Sequence, residues 1–271
     1  MKAKKILFIT QEITPYVPES PMSLIGRKLP QAIQEKGREI RTFMPKWGNI
    51  NERRNQLHEV IRLTGMNIIV DDTDHPLIIK VASIQALRTQ VFFILNEDFF
   101  RNHLNTRDSA GNEYPDNDER TIFFARSVLE TVKKQSWYPD VIHCHGWIGA
   151  LTGLYIKTFY KDEPAFRNTK FVYSLYDDAF AASFPENYLK KVIIKNMEEV
   201  DFSDIATPVT YQELSKIAIR WSDGVIQNSE NTDPALIEYA RSLGKPILEY
   251  KTGKEYADAC SDFYNQLYNQ D

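Results

Sequence analysis

The sequence predicts one doubly wound α/β domain with a mostly parallel sheet and an antiparallel insertion. Short apolar, β-rich runs alternate with amphipathic helical patterns over most of the chain, which is typical of βαβ units. Between about Met66 and Leu95 this alternation stops, because three strand-like runs follow one another without a helix. No composition shift divides the 271 residues, so residues 1–271 are expected to form a single domain.

The predicted strands of the main sheet are apolar along their whole length, which is typical of strands buried on both faces. They are Lys5–Thr10, Glu39–Met44, Asp140–His143, Lys170–Leu175, Gly224–Gln227 and Lys245–Tyr250. The antiparallel insertion is expected to bend at Asp74 to Pro76.

Helical patterns separate these strands. An apolar stripe predicts an amphipathic helix from about Asp118 to Gln135, and a last helix is predicted over about Lys254 to Tyr268. Signals for helix starts are the capping-box pair Thr210 and Glu213, and Asp233 followed by a proline.

The composition is that of an ordinary globular protein, with 42% apolar residues, 26% charged residues and a formal charge of −4. The apolar fraction excludes a disordered chain. The slight acidic excess has no block of Lys or Arg, so neither nucleic acid nor a membrane surface is expected as a partner. No run of about 18 apolar residues is present, which excludes a spanning helix.

The cellular compartment is predicted from the N-terminus and the cysteines. The charged start Met1–Lys5 is followed by a short apolar run without a small-residue cleavage site, so we expect a first strand rather than a signal peptide. Cys144 and Cys260 are too few for a disulfide framework and have no partner base in the sequence. We therefore expect inert thiols, a cytoplasmic protein and no cofactor.

Ligands of parallel sheets bind beyond the carboxyl ends of the strands, so the residues there are the candidates. After the first strand, Glu12 and Glu19 flank a proline-rich segment, and a helix begins near Met22. A phosphate cradle needs glycines and free N–H groups, and these carboxylates would repel a diphosphate. Either they bind sugar hydroxyls, or they belong to a rigid solvated loop with a carboxylate facing the helix dipole.

The most distinctive local motif of the sequence follows the strand that begins at Asp140. Strand alternation places His143 and His145 on one face and Cys144 on the other. Zinc needs three or four convergent ligands, which this spacing does not supply, so no metal site is predicted. His145 and Trp147 could make polar and stacking contacts with a sugar, or they could be a packed histidine and an aromatic ring covering the sheet end.

Two further strand ends carry polar residues. Tyr176, Asp177 and Asp178 follow one strand, and adjacent carboxylates on extended backbone point apart, which indicates two independent roles or a polar turn. Ser229 follows the next strand and could line the same cleft or cap a helix. No nucleophile elbow, P-loop, dinucleotide fingerprint or HExxH helix is present, so the residues predict a cleft but no reaction.

Five segments between about Lys4 and Glu230 carry a resemblance to a known protein family. They are KKILFITQEITPYV, GREIRTFMPKWGNINERR, VFFILNEDFF, DERTIFFARSVLETVKKQSWYPDVIHCHGWIGAL and WSDGVIQNSE. Together they resemble the N-terminal half of bacterial glycogen and starch synthases, glycosyltransferases of the two-domain B-type fold. The resemblance implies a Rossmann-like domain and retaining transfer of glucose from a nucleotide sugar to an α-1,4-glucan. We expect the chain to lack the C-terminal half, which supplies most of the donor site in that family.

The resemblance also implies three signatures, and each is altered here. The family's Lys-Thr-Gly-Gly-Leu phosphate loop falls on Pro-Glu-Ser-Pro-Met at residues 18–22, and the aspartate two residues beyond is Leu24. The family's His-x-His-Asp-Trp-His falls on residues 143–148, which keep both leading histidines and the tryptophan but lose the carboxylate and the last histidine. The catalytic-site histidine after the next strand falls on Tyr176.

These changes predict a module that binds a sugar, an α-glucan or a protein without transferring glucose alone. Glu19 beside the lost lysine would replace attraction with repulsion at the leaving diphosphate, where electrostatic stabilisation is worth several kcal/mol. The alternative is an active glucosyltransferase completed by a partner chain. A third idea is altered transfer chemistry that uses Glu12, Glu19 or Asp177. An exposed apolar patch where the donor half docks in the family would favour a protein partner or a second copy.

Overall fold

A computed structural model describes residues 2–84, 89–101 and 104–270 of the chain. The strands are β1 (Lys5–Thr10), β2 (Glu39–Pro45), β3 (His58–Glu59), β4 (Met66–Val70), β5 (Thr73–Ile84), β6 (Thr89–Leu95), β7 (Val141–His145), β8 (Lys170–Leu175), β9 (Gly224–Gln227) and β10 (Ile247–Leu248). The helices are α1 (Pro21–Glu35), α2 (Glu97–Phe100), α3 (Asn117–Lys134), α4 (Thr152–Lys157), α5 (Tyr188–Val192), α6 (Tyr211–Arg220), α7 (Pro234–Ser242) and α8 (Gly253–Tyr268).

The sheet confirms the predicted α/β class. Its strand order is β10-β9-β8-β7-β1-β2-β6-β5-β3, and β4 pairs with β5. The strands from β10 to β6 in this order are parallel, whereas β5 runs antiparallel to β3, β4 and β6. The antiparallel insertion therefore extends one side of a parallel sheet.

Two predictions about this sheet need correction. The bend in the insertion is not at Asp74 to Pro76, which lie inside β5; the chain turns at Asp71 and Asp72, where β4 pairs with β5 from Val70 to Thr73. Asp71 takes the left-handed conformation (φ 52°) that two-residue hairpin turns favour. The last strand covers only Ile247–Leu248 rather than residues 245–250, because it is a half-buried edge strand.

Both faces of the parallel sheet are covered, and neighbouring residues of one strand serve different cores. Leu7 and Ile9 of β1 belong to the larger core, which also takes buried side chains from α3, α4 and α6. Ile6 and Phe8 belong to a second core, which α1 and α8 cover. This double burial explains why β1 is apolar throughout rather than alternating.

The predicted helix starts are present, but only half of the predicted capping box forms, because the Glu213 carboxylate accepts its hydrogen bonds from the Ala206 N–H and from Lys216. Thr210 accepts a hydrogen bond from the Glu213 backbone N–H at the start of α6, and Asp233 accepts one from the Ala235 backbone N–H at the start of α7. Within residues 2–84, 89–101 and 104–270, no helix combines the length and the apolar character that crossing a bilayer requires.

Candidate functional site

The candidate site lies at the carboxyl ends of β1, β7, β8 and β9. Strand β1 is where the strand order reverses, since β2 flanks it on one side and β7 on the other. The Gln11 backbone N–H donates to the His145 carbonyl (3.2 Å) and joins the ends of β1 and β7. Clefts at such reversals are the usual ligand sites of open α/β sheets.

The N-terminus of α1 is closed by its own cap. Pro21 occupies the first turn and has no N–H. The Ser23 N–H donates to Ser20 Oγ (2.9 Å), the Ser20 N–H donates to Ser23 Oγ (2.8 Å), and the Leu24 N–H donates to the Ser20 carbonyl (3.0 Å). The donors of these residues are therefore satisfied within the chain and do not face an anion.

A carboxylate also lies against this cap. Glu12, half-buried after β1, accepts a hydrogen bond from Ser20 Oγ. Burial raises the pKa of Glu12, and the hydrogen bond from Ser20 opposes this rise. Glu19 is exposed on the same turn. The position that matches the phosphate loop of the resembled family thus carries acidic groups.

His143 and His145 lie on one face of β7, as strand alternation predicts, and both enter a buried hydrogen-bond network. His143 Nδ1 lies 2.6 Å from Tyr264 Oη, and His143 Nε2 lies 2.6 Å from Ser174 Oγ. His145 Nδ1 lies 2.7 Å from Tyr176 Oη. The network therefore joins β7 to β8 and to α8.

Asn228, directly after β9, links the two halves of this network. Its Nδ2 donates to Ser174 Oγ (2.9 Å) and to Tyr176 Oη (3.1 Å). Asn228 is 4% exposed, so both bonds are shielded from water. In this structure Tyr176 packs against the retained histidine rather than taking the exposed position of a reacting group.

Burial decides the charge of the two histidines. Their ring centroids are 3.9 Å apart, and both side chains are buried. Burial lowers the pKa of His145 to about 3, and burial together with His145 lowers the pKa of His143 well below its ordinary value. Both imidazoles are neutral at physiological pH and act as hydrogen-bonding groups rather than as cations.

Trp147 covers the end of the sheet. It is 2% exposed and contacts Phe180 (centroids 4.9 Å apart) and Phe184 (6.1 Å). Gly146 precedes it with φ +88°, and a Cβ there would lie 2.8 Å from Gln11 Oε1. The chain can therefore turn Trp147 inward only because residue 146 is glycine.

A pocket of about 300 Å³ opens next to this covered end. It is lined by Tyr176, Asp177, Ala179, Phe180, Thr210, Tyr211, Gln212, Asn231 and Asp233. Two of the predicted residues, Tyr176 and Asp177, line it. The others do not: Glu12, Glu19, His143, His145, Trp147 and Ser229.

The predicted residue Ser229 shapes the turn beside this pocket. Its Oγ accepts a hydrogen bond from the Asn231 N–H (3.1 Å), and its carbonyl accepts bonds from Gln227 and Thr232. Ser229 therefore positions Asn231, which lines the pocket.

Asp178 has a larger part in the site than the sequence indicates. It is half-buried and accepts a hydrogen bond from Tyr211 Oη (2.7 Å). Burial raises the pKa of Asp178 to about 6; the Tyr211 hydrogen bond opposes this, and the negative charge of Glu12 adds to it. Tyr211 lies 33 residues away in the chain, so no local motif could have indicated this pair.

The pocket suits polyhydroxylated ligands more than anions. Its wall combines the carboxylates of Asp177 and Asp233 with hydroxyl and amide groups and aromatic rings, and no Lys or Arg is among its described lining residues. Among the residues that the structure covers, no three His, Cys, Asp or Glu side chains cluster closely enough to hold a metal ion. The pocket therefore offers hydrogen bonds and stacking without a counter-charge for a diphosphate.

The sequence profile of the family described as "Starch synthase catalytic domain" matches residues 5–241. The chain belongs to this family. Because the chain belongs to this family, its three altered signatures are departures from a shared sequence pattern and not chance similarities.

Two relatives show the extent of the match. The glycogen synthase of Chlorobaculum tepidum is 32% identical over 267 residues, which cover 98% of this chain and 52% of that protein. The glycogen synthase of Chlorobium luteolum is 35% identical over 190 residues, which cover 70% of this chain and 39% of that protein. The chain thus spans about half the length, or less, of these relatives.

The fold has a counterpart among solved structures. The catalytic domain of starch synthase IV from Arabidopsis thaliana, bound to ADP and acarbose, matches with a TM-score of 0.72. The match covers 93% of this chain and 52% of the other, at 18% sequence identity. This similarity concerns the fold, which is that of a B-type glycosyltransferase half.

Proposed function

We propose that this 271-residue chain binds a sugar or an α-glucan in the pocket beside Tyr176 and Asp177, and does not transfer glucose by itself. The observation that carries the proposal is the closed, acidic N-terminus of α1, where Pro21 lacks an N–H and Glu12 contacts Ser20. A nucleotide-sugar donor would bring a diphosphate to this point. Like charges in a partly buried site cost binding energy, and among the described residues no Lys or Arg lines the pocket beside Tyr176 and Asp177. Lys28, Lys36 and Lys251 line a separate cleft between α1 and α8, which also touches Pro21.

The carboxyl ends of β1, β7, β8 and β9 expose no large hydrophobic side chain among the described residues, which supports binding without a domain docked on them. Among the described residues, the large hydrophobic side chains that are exposed are Ile61, Ile69, Leu104, Tyr138 and Leu243. None of them directly follows β1, β7, β8 or β9. Docking faces are usually apolar in their centre, and the described residues directly after these strands lack that feature. Apolar side chains of α1 and α8 do line a cleft of about 830 Å³ beside Pro21 and Asn228.

The alternative remains an active glucosyltransferase, nucleotide-glucose to α-1,4-glucan, completed by a partner chain or a second copy at this edge. Its support is the family and the neighbouring structure that holds ADP and acarbose. We place the chain in the cytoplasm in either case, on the basis of its two buried free thiols.

Calorimetry on the purified chain separates these functions. We expect maltoheptaose or acarbose to bind and ADP-glucose not to bind at millimolar concentration. Asp177→Asn should weaken glucan binding about tenfold by removing a charged acceptor, and Asp162→Asn, an exposed carboxylate away from the pocket, is the matched control. Binding of ADP-glucose, or glucan elongation by the chain alone, would contradict the proposal.

A loop exchange tests whether the closed, acidic N-terminus of α1 excludes a diphosphate. Replacing residues 18–21, Pro-Glu-Ser-Pro, by Lys-Thr-Gly-Gly together with Glu12→Gln opens the cap, adds a cation and removes two carboxylates, Glu12 and Glu19. We expect ADP to bind this variant at least tenfold more tightly than the natural chain. Equal ADP affinity would show that the cap is not what excludes a diphosphate.

A further inference from the structure

A second cleft lies at the opposite edge of the sheet, where β1 and β2 begin. It has a volume of about 560 Å³ and is bounded by the end of α1 and by α8. Four cationic residues line it, Lys2, Lys4, Lys36 and Arg38, against two acidic residues, Glu39 and Asp262. The cleft thus carries an excess of positive charge in a chain whose formal net charge is −4.

Arg38 is the unusual member of this set, because its guanidinium is buried without an anionic partner. The side chain is 7% exposed. Its Nη2 donates to Ser261 Oγ (2.7 Å), to the Ser261 carbonyl (2.9 Å) and to Asn265 Oδ1 (3.2 Å). Its Nη1 is buried and has no hydrogen-bond partner. Buried charges in proteins are normally paired, since removing them from water is costly.

The nearby acidic groups are engaged elsewhere or do not reach Arg38. Glu39 accepts a hydrogen bond from Trp137 Nε1, and Asp258 of α8 pairs with Lys36. Burial lowers the pKa of Arg38, and Asp262 and Asp140 oppose this lowering through their charge alone. Among the described residues, no carboxylate lies within ion-pair distance of Arg38. Lys2 and Lys4 are exposed at the mouth of the cleft.

We propose that this cleft binds a small phosphate-bearing anion, with Arg38 as the buried counter-charge and Lys2, Lys4 and Lys36 around it. Because Nη2 of Arg38 is already bonded, the guanidinium offers a phosphate its positive charge and the N–H groups of Nη1, and it stays charged when buried. The volume exceeds that of a phosphate ion and falls in the range of small-molecule sites, so a phosphate monoester fits as well. The proposal does not depend on the sugar pocket, which lies at the other end of the strands.

The test is isothermal calorimetry and thermal unfolding of the full chain with inorganic phosphate and with methyl phosphate, against chloride at equal ionic strength. We expect saturable binding of at least one of the two probes and a rise in the unfolding temperature. Binding of both identifies a monoester site, and binding of inorganic phosphate alone identifies a site for the free ion. Absence of saturable binding of either probe overturns the proposal.

Three variants assign the binding to the cleft. Arg38→Met should weaken phosphate binding at least tenfold. Without phosphate the unfolding temperature should change little, because removal of a buried charge offsets the loss of the hydrogen bonds to Ser261 and Asn265. Lys4→Gln combined with Lys36→Gln changes exposed residues that folding does not need and should weaken binding about three- to tenfold. Lys161→Gln, an exposed lysine outside the cleft, is the control. Unchanged phosphate affinity in the double lysine variant and in Arg38→Met overturns the assignment.

Discussion

Gly146 is the residue on which the shape of the covered sheet end depends. Its φ of +88° disfavours any side chain, and a Cβ would meet Gln11 Oε1 at 2.8 Å. Gln11 Oε1 also accepts the Ile148 N–H (3.3 Å), so it cannot move away without losing this bond. Backbone strain and crowding therefore act at the same position.

Gly146→Ala should lower the free energy of unfolding by about 2–4 kcal/mol, the sum of left-handed strain and overpacking. Urea unfolding followed by circular dichroism measures it. Gly111→Ala is the matched control, because Gly111 has nearly the same φ (+86°) and a Cβ added there would meet no atom within 4 Å. Gly111→Ala should lower the free energy of unfolding by only about 1 kcal/mol. Equal losses in both variants would contradict the crowding at residue 146.

Asp178→Asn keeps an acceptor for Tyr211 and removes a carboxyl group whose pKa is raised to about 6 from 3.8. Between these values the folded chain holds the proton more firmly than the unfolded chain, so stability falls as pH rises through this window. The variant should be about 1–2 kcal/mol more stable than the natural chain at pH 8, and equally stable below pH 4. Urea unfolding at both pH values measures this.

The exposed neighbour provides the control for that experiment. Asp177→Asn should change stability by less than about 0.5 kcal/mol at either pH. If Asp178→Asn changed stability equally at pH 4 and pH 8, the carboxyl group would not be the cause.

At the scale of elements, one hydroxyl group of α8 reaches the buried histidines of the sheet. Tyr264 Oη lies 2.6 Å from His143 Nδ1 in a buried region. Tyr264→Phe should lower the free energy of unfolding by about 1–3 kcal/mol, because it leaves the buried Nδ1 of His143 without its hydrogen-bond partner. Tyr138→Phe, at a 48% exposed position, should be neutral within about 0.5 kcal/mol. A neutral Tyr264→Phe would show that water replaces the hydroxyl.

The central strands could be predicted from the sequence because their apolar runs are continuous and bounded by helical patterns. β1 and β8 have the predicted bounds, and β7 extends two residues further, to His145. The predicted position of the hairpin turn is wrong because Asp71 and Asp72 lack the glycine that usually marks such turns, whereas Pro76 suggests a break inside β5.

The candidate site was less predictable, because its contacts are remote in sequence. Alternation on β7 correctly predicts that His143 and His145 share one face. The partner of His143, however, lies 121 residues away on α8, and Asn228 lies 52 residues beyond Tyr176. Strand order and helix packing decide which side chains meet when they are so far apart in the sequence, and a local motif predicts neither of them.

At the scale of the whole molecule, the two ends of the sheet differ in charge. The carboxyl edge carries Glu12, Glu19, Asp177 and Asp178, whereas the amino edge carries the cations around Arg38. Under the two proposals above, each edge therefore suits a different class of ligand. A polyhydroxyl compound suits the first, and an anion suits the second.

The whole molecule should lose stability in acid because of its buried histidines. The lowered pKa values of His143 and His145 mean that the unfolded chain takes up protons below pH 6.5 that the folded chain refuses. The contribution of His145 is complete above pH 6.5 and is lost toward pH 3, by about 1.4 kcal/mol per pH unit, and His143 acts in the same direction. Glu12 and Asp178 act in the opposite direction, since their pKa values are raised.

Nuclear magnetic resonance tests the histidines directly. The imidazole nitrogen signals of His143 and His145 should keep their neutral-form positions from pH 8 to pH 5. Titration of either ring between pH 6 and pH 7 in the folded chain would contradict the buried, neutral state.

The second core has a consequence for where this protein can be divided. The family match stops at residue 241, but α8 lies beyond it and supplies Tyr256, Cys260, Phe263, Tyr264 and Leu267 to that core. At about 1.5–3 kcal/mol for each large side chain, their loss equals the whole stability of an average domain. A fragment of residues 1–241 should therefore lack the near-ultraviolet circular dichroism of the 271-residue chain. The folding unit therefore extends beyond the residues that the family profile matches.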